Sequence, residues 1–109
     1  MDVKTTDKYT IISTDARIDH LTAPDLDDTL KQLIDNGHYR IIFDMSRIDF
    51  VSSAGWWVLI KAQKTCKQND RGEILLVGLQ EPIRESMNLI GITPLFHQYD
   101  QLCEAEAVW

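Results

Sequence analysis

The sequence predicts an α/β fold, a mixed central β-sheet of about four to five strands packed with about four helices. Two observations carry this. The short apolar runs Arg40–Phe43 and Glu73–Val77 have the composition of strands buried on both faces. Stretches with apolar residues at helical spacing separate them, and strand–helix–strand units of this length favour parallel pairs with right-handed crossovers. A third observation bounds the size: 109 residues suffice for one core and are too few for two. Residues 1–109 are therefore read as one domain, with its core over about 9–99.

In chain order, the β-branched and aromatic stretch Tyr9–Ser13 predicts a first strand. Asp15–Asp19 predicts a second, shorter strand after a turn. Thr22-Ala23-Pro24-Asp25 reads as a helix start, with Thr22 as N-cap, Pro24 in the tolerant first turn and Asp25 at the capping-box position. Leu26, Leu30, Leu33 and Ile34 follow at helical spacing. Asn36-Gly37 ends the helix, since both residues tolerate the left-handed conformation.

After the central strand, Asp44–Val51 is a polar connection with apolar residues at Met45, Ile48, Phe50 and Val51. Ser52-Ser53-Ala54-Gly55 then delivers two hydroxyls to the start of a helix predicted over Trp56–Asn69. Helix starts carry unpaired N–H groups and a partial positive charge, which suits a capping serine and equally a serine that takes a phosphate. Asp44 reads as a structural residue that bonds loop N–H groups.

The helix has its apolar centre on Val58, Leu59, Ala62 and Cys66, with Lys61, Lys64, Gln68 and Asn69 outward. Trp57 then points nearly opposite the core face, with Ile60 near that outer side. An exposed tryptophan one turn from the serines suits a partner anchor, so Trp57, Ile60 and Lys61 are candidate partner-binding residues. Trp56, at the flank of the core face, reads as mainly structural.

Asn69–Gly72 is a turn before the strand Glu73–Val77. Gly78-Leu79-Gln80 leads into a helix begun by Glu81-Pro82, with Ile83, Met87 and Ile90 on one face and Gly91 as its stop. Leu95–Tyr99 reads as a weak strand, and Asp100 opens a last helix towards Val108.

The net charge of −6 argues against nucleic-acid binding. No apolar run reaches membrane-span length and the N-terminus lacks a signal-peptide core, so a cytoplasmic protein without membrane insertion is expected. Cys66 and Cys103 stand apart, and His20, His38 and His97 make no ligand-spaced cluster with them, so no metal site is expected. Ser53-Ala54-Gly55 is an incomplete nucleophile elbow, because Val51 holds the place of its first glycine and no His–acid pair is evident. A phospho-aspartate receiver centred on Asp44 would need a late lysine, and none follows Lys67. The chain is not expected to be an enzyme.

The chain over roughly Ile11–Tyr99 resembles a STAS domain of the anti-sigma factor antagonist type. The likeness rests on Ile18-Asp19 before Ala23-Pro24, Ile41 to Ser46 ending in Asp44-Met45-Ser46, and Phe50 to Gly55. Gly78-Leu79 with Pro82-Ile83-Arg84, and Leu89 to Ile92, complete it. It implies a single STAS-like domain. The family pattern at the loop is Asp-Ser-Ser/Thr-Gly, with the phosphoacceptor directly after the Asp. By position the acceptor is Ser53, with Ser52 as second choice, and Ser52, Ala54 and Gly55 form the rest of the phosphorylation loop. Here Ser52 replaces the Asp, Ala54 replaces the following hydroxyl, and the family's small or polar residue gives way to Trp57.

The resemblance implies partner switching. The unphosphorylated domain binds an anti-sigma factor that is also a serine kinase of the GHKL ATPase type. Phosphorylation of the loop serine releases it, and a serine phosphatase resets the cycle. Nucleotide and metal belong to the kinase, so no cofactor is expected on this chain. The same resemblance admits a second role, an unphosphorylated docking subunit of an ABC-type lipid-transport system.

Overall fold

The computed structural model describes residues 1–15, 17–69 and 71–109. Ala16 and Asp70, within the predicted strand Asp15–Asp19 and turn Asn69–Gly72, lie outside the described residues. Strands β1 (Asp2–Thr5), β2 (Thr10–Ser13), β3 (Arg40–Asp44), β4 (Glu73–Val77) and β5 (Gln98–Tyr99) form one mixed sheet. Helices α1 (Ala23–Asp35), α2 (Ser53–Lys67) and α3 (Glu81–Ile90) connect its parallel strands, and α4 (Leu102–Glu106) ends the chain. The strand order follows the sequence, with β1 antiparallel to β2 and every later pair parallel.

An order that never reverses, with crossovers of one hand, places the connecting helices on one face. Ile12, Phe43 and Leu76 pack there with Leu26 and Leu30 of α1, Leu59 and Cys66 of α2, and Ile83 and Met87 of α3. Ile42, Leu75 and Val77 alternate to the other face, which α4 covers through Ala105, with Tyr9, Leu102 and Trp109 around it. Both faces of β3 and β4 are thus buried, which is why their sequences read as unbroken apolar runs.

Several elements differ from the sequence expectation. No strand forms at Asp15–Asp19 among the described residues; Ile18 makes one parallel bridge to Val51 and the chain then bends. The Asp19 carboxylate causes the bend by accepting the N–H groups of Leu21 (2.9 Å) and Thr22 (3.1 Å). These bonds hold the Asp19 carboxyl below its usual pKa. The extra strand lies earlier, as β1, whose Val3 pairs with Ile12. All of β1 is exposed, so it carries no core pattern to betray it.

The Thr22 hydroxyl does not cap α1. It accepts the Asp19 N–H at 2.9 Å, and the capping box with Asp25 is not formed. Ile90 is 53% exposed rather than on the packed face of α3. Gly91, at φ +85°, reverses the chain there and sends Ile92 into the core instead. Of the predicted strand Leu95–Tyr99, Leu95 closes a 3-10 turn, Thr93–Leu95, and only Gln98–Tyr99 form a strand, β5. The last helix is shorter than Asp100–Val108: it runs over Leu102–Glu106, and its start is set where the Glu104 carboxylate accepts the Gln101 N–H at 3.0 Å.

Candidate functional site

The connection from β3 to α2 leaves the sheet at the carboxyl ends of the parallel strands. Met45, Ile48 and Val51 are buried and anchor it. The Asp44 carboxylate accepts the N–H of Ser46 at 3.0 Å, and the Met45 N–H donates to the Val77 carbonyl at 2.8 Å. Further on, the Ile18 N–H donates to Phe50 O (3.0 Å) and the Ser52 N–H to Ile18 O (2.7 Å). The loop is therefore laced to the segment before α1. Phe50 stays 40% exposed, with the Arg17 guanidinium 4.5 Å from its ring centroid.

α2 begins at Ser53, three residues before the expected start, because Ser52 is its N-cap. Ser52 has extended backbone angles (φ −78°, ψ 170°), and its hydroxyl accepts the Gly55 N–H at 3.2 Å. Ser53 is the first helical residue and is exposed, and no group among the described residues hydrogen-bonds its hydroxyl. The N–H groups of Ser53 and Ala54 likewise have no acceptor among the described residues. Ala54 is exposed beside them.

Gly55 is buried for a packing reason. A Cβ there would stand 2.4 Å from Ile18 Cγ2 and 3.0 Å from Val51 Cγ1. Only glycine lets the first turn of α2 seat on the Ile18–Val51 bridge, so the serine pair is held against a rigid backing.

Trp56 and Trp57 face opposite ways. Trp56 is 2% exposed and packs against Phe96 at 6.5 Å between ring centroids. Trp57 is 61% exposed, one turn from Ser53. Ile60 and Lys61 follow Trp57 at spacings that share its side of the helix. Ile60 is half-buried against the core, and the Lys61 ammonium reaches Asp27 of α1 at 3.8 Å. The structure thus brings Ser53, Ala54, Trp57, Ile60 and Lys61 onto one end and side of α2. Asp44 sits at the far end of the loop, engaged with Ser46.

Sequence reading missed Arg17 and Phe50, whose pairing depends on the loop lacing and leaves no local signal. It also missed Gln63, buried at 4% exposure. The Gln63 side chain accepts the Ile74 N–H (2.6 Å) and donates to the carbonyls of Ile74 (3.2 Å) and Leu95 (2.9 Å). A glutamine among the apolar positions of α2 was the available clue.

No helix among the described residues is long and apolar enough to cross a membrane. Comparison with known proteins places these features in a family. The chain is similar to BtrV of Bordetella bronchiseptica, at 30% identity over 79 residues, 72% of this chain and 67% of that protein. It is 23% identical to the anti-sigma-B factor antagonist of Staphylococcus aureus, over 89% of each. A crystal structure of a Thermotoga maritima protein superposes with a TM-score of 0.90 at 18% identity, over 98% of this chain and 92% of that one. Unphosphorylated SpoIIAA superposes with a TM-score of 0.82 at 15% identity, over 98% and 94%. Residues 1–105 match the family described as the STAS domain, and the chain belongs to that family.

Proposed function

We propose that this chain is an anti-sigma factor antagonist that works by partner switching, with Ser53 as its phosphoacceptor. The Staphylococcus aureus relative is named an anti-sigma-B factor antagonist, and SpoIIAA has been solved in unphosphorylated and phosphorylated forms. The observation that carries the reading to Ser53 is the division between two adjacent hydroxyls. Ser52 is committed to the cap, whereas Ser53 is exposed and its hydroxyl has no hydrogen-bond partner among the described residues. A phosphate on Ser53 adds about −1.5 to −2 charges beside the uncommitted N–H groups of the first turn, where the helix end stabilises an anion.

The residue standing where the family has Asp supports this geometry. Serine and aspartate are both strong N-caps, so Ser52 keeps the cap while removing a negative charge next to the acceptor. The same phosphate facing a closely packed partner must be paired or desolvated, and either failure dissociates the complex. The partner is an anti-sigma factor with GHKL-type serine kinase activity, a phosphatase reverses the mark, and the chain works in the cytoplasm without a cofactor or catalysis of its own.

The test is incubation with ATP and a GHKL-type serine kinase encoded beside the gene, followed by intact mass and peptide mapping. One phosphate on Ser53, absent from Ser53→Ala, is the expected result, with Ser53→Asp weakening the kinase complex. A phosphate on Ser52 moves the acceptor by one residue. No phosphate at all favours the second reading, a constitutive docking module of a transport system, for which the missing loop carboxylate is the motivating observation.

A further inference from the structure

α2 carries Lys61, Lys64 and Lys67 and no acidic residue, on a chain whose net charge is −6. Lys61 reaches Asp27, but Lys64 and Lys67 form no ion pair among the described residues. Beside them runs an open groove of about 450 Å³ between α2 and the Thr93–Leu95 turn. Ile60 and the 42% exposed Leu95 supply its apolar lining, and Lys64 and Lys67 its cationic rim.

Its two walls are held together from inside. Gln63 lies between them and binds the Leu95 carbonyl and both backbone groups of Ile74. The groove is therefore preformed, and an occupant need not order it. Trp57 and Ile60, three residues apart, carry the exposed apolar surface from the Ser53 end of the helix into the groove.

From this arrangement we propose that the groove docks an acidic amphipathic helical segment of the protein partner. Its apolar face would lie on Ile60 and Leu95, and its carboxylates against Lys64 and Lys67. The argument for this occupant is charge complementarity: Lys64 and Lys67 rim an apolar-lined groove beside a helix that has no acidic residue, on a molecule of net charge −6. The inference deepens the partner-switching reading, and rests on it only for placing a protein partner at this helix. It also gives the switch a sign. A phosphate on Ser53 puts negative charge on the same helix that attracts an acidic segment, and its repulsion acts chiefly on the part of the partner over Trp57, within about one Debye length.

The experiment is an NMR titration of the full-length, unphosphorylated protein, labelled with ¹⁵N. The probe is a synthetic amphipathic helical peptide with leucines at i, i+3, i+4 and i+7 and glutamates on its flanks. The comparison probes are the same peptide with lysine for glutamate, phosphatidylglycerol vesicles and a short duplex DNA. The expected result is shifts at Ile60, Lys64, Lys67, Leu95 and the Trp57 indole with the acidic peptide, weakening as salt is added. Lys64→Gln with Lys67→Gln should weaken binding about tenfold or more while the protein stays fully folded at the titration temperature, since loss of two last-turn cations costs the helix end only a little stability. Leu95→Ser provides an independent check on the apolar wall.

Equal binding of acidic and basic peptides, or no groove shifts at millimolar acidic peptide, would overturn the proposal. So would groove shifts with vesicles or DNA alone. None of these readouts needs a phosphate. A groove that binds on a chain never phosphorylated at Ser53 would keep this inference and remove the switch, and the reverse pattern would do the opposite.

Discussion

Ser52 and Ser53 are chemically alike and adjacent, yet the helix start gives them different work. Ser52→Ala should lower stability by about 1 kcal/mol through loss of the cap. Ser53→Ala should stay within about 0.5 kcal/mol of the parent, as for a surface change away from any buried contact. Thermal unfolding of the two variants checks this, and equal losses would show that both hydroxyls are structural. Gly55→Ala tests the backing of the site. The new methyl meets Ile18 Cγ2 at 2.4 Å, so the helix start must shift, at a cost of about 1–3 kcal/mol. If Ser53 is the acceptor as proposed, that shift should also slow phosphate transfer to it, measurable under conditions where the variant is fully folded. The serine pair and Gly55 were visible in the sequence as a motif. Which serine caps was not, because that depends on a backbone angle set by the bond from the Ser52 N–H to Ile18.

At the scale of elements, α2 links the site to the sheet. Its buried face, Val58, Leu59, Ala62 and Cys66, was legible from helical spacing alone. The role of Gln63 was not: its place among the apolar positions hinted at burial, but its partners lie on β4 and the Thr93–Leu95 turn, far along the chain. Gln63 satisfies the Ile74 N–H where β4 begins and anchors the turn that carries Leu95. Gln63→Leu should cost about 1–3 kcal/mol, because the buried backbone groups lose their partner. Chemical denaturation measures the loss, and amide shifts at Ile74 and Leu95 should change with it. The missed β1 has the opposite cause: an edge strand exposed along its whole length has hydrogen bonds but no apolar pattern.

At the scale of the whole molecule, the two cysteines report on the core. Cys66 is completely buried among the residues packed on the helical face of the sheet, and burial pushes its thiol up to about 11, whereas Cys103 is exposed. The neutral thiol is favoured in the folded state, so its contribution to stability is present below pH 9.0 and is lost as pH rises towards about 11. At pH 8 a thiol reagent should modify Cys103 at once and Cys66 only at the rate of unfolding. Mass spectrometry of the native protein checks this, and rapid double labelling would mean that the core around α2 opens readily. The crossovers that bury Cys66 also leave α2 uncovered on its outer side, where Trp57, Lys61 and Lys64 stand.

Apolar periodicity alone made the buried strands and the helices between them legible, because it records which faces are buried, while the motifs around Asp44 and Ser52–Gly55 carried the resemblance to the family. The sequence by itself also determined the position of the serine motif, because helix starts have their own local chemistry. Contacts across the fold set which of the two hydroxyls caps α2, why position 55 must be glycine, and how Leu95 comes to face α2. Each of these depends on contacts between segments far apart in the chain, such as Ile18 with Val51 and Gln63 with Leu95. Such contacts leave no periodic trace in either segment.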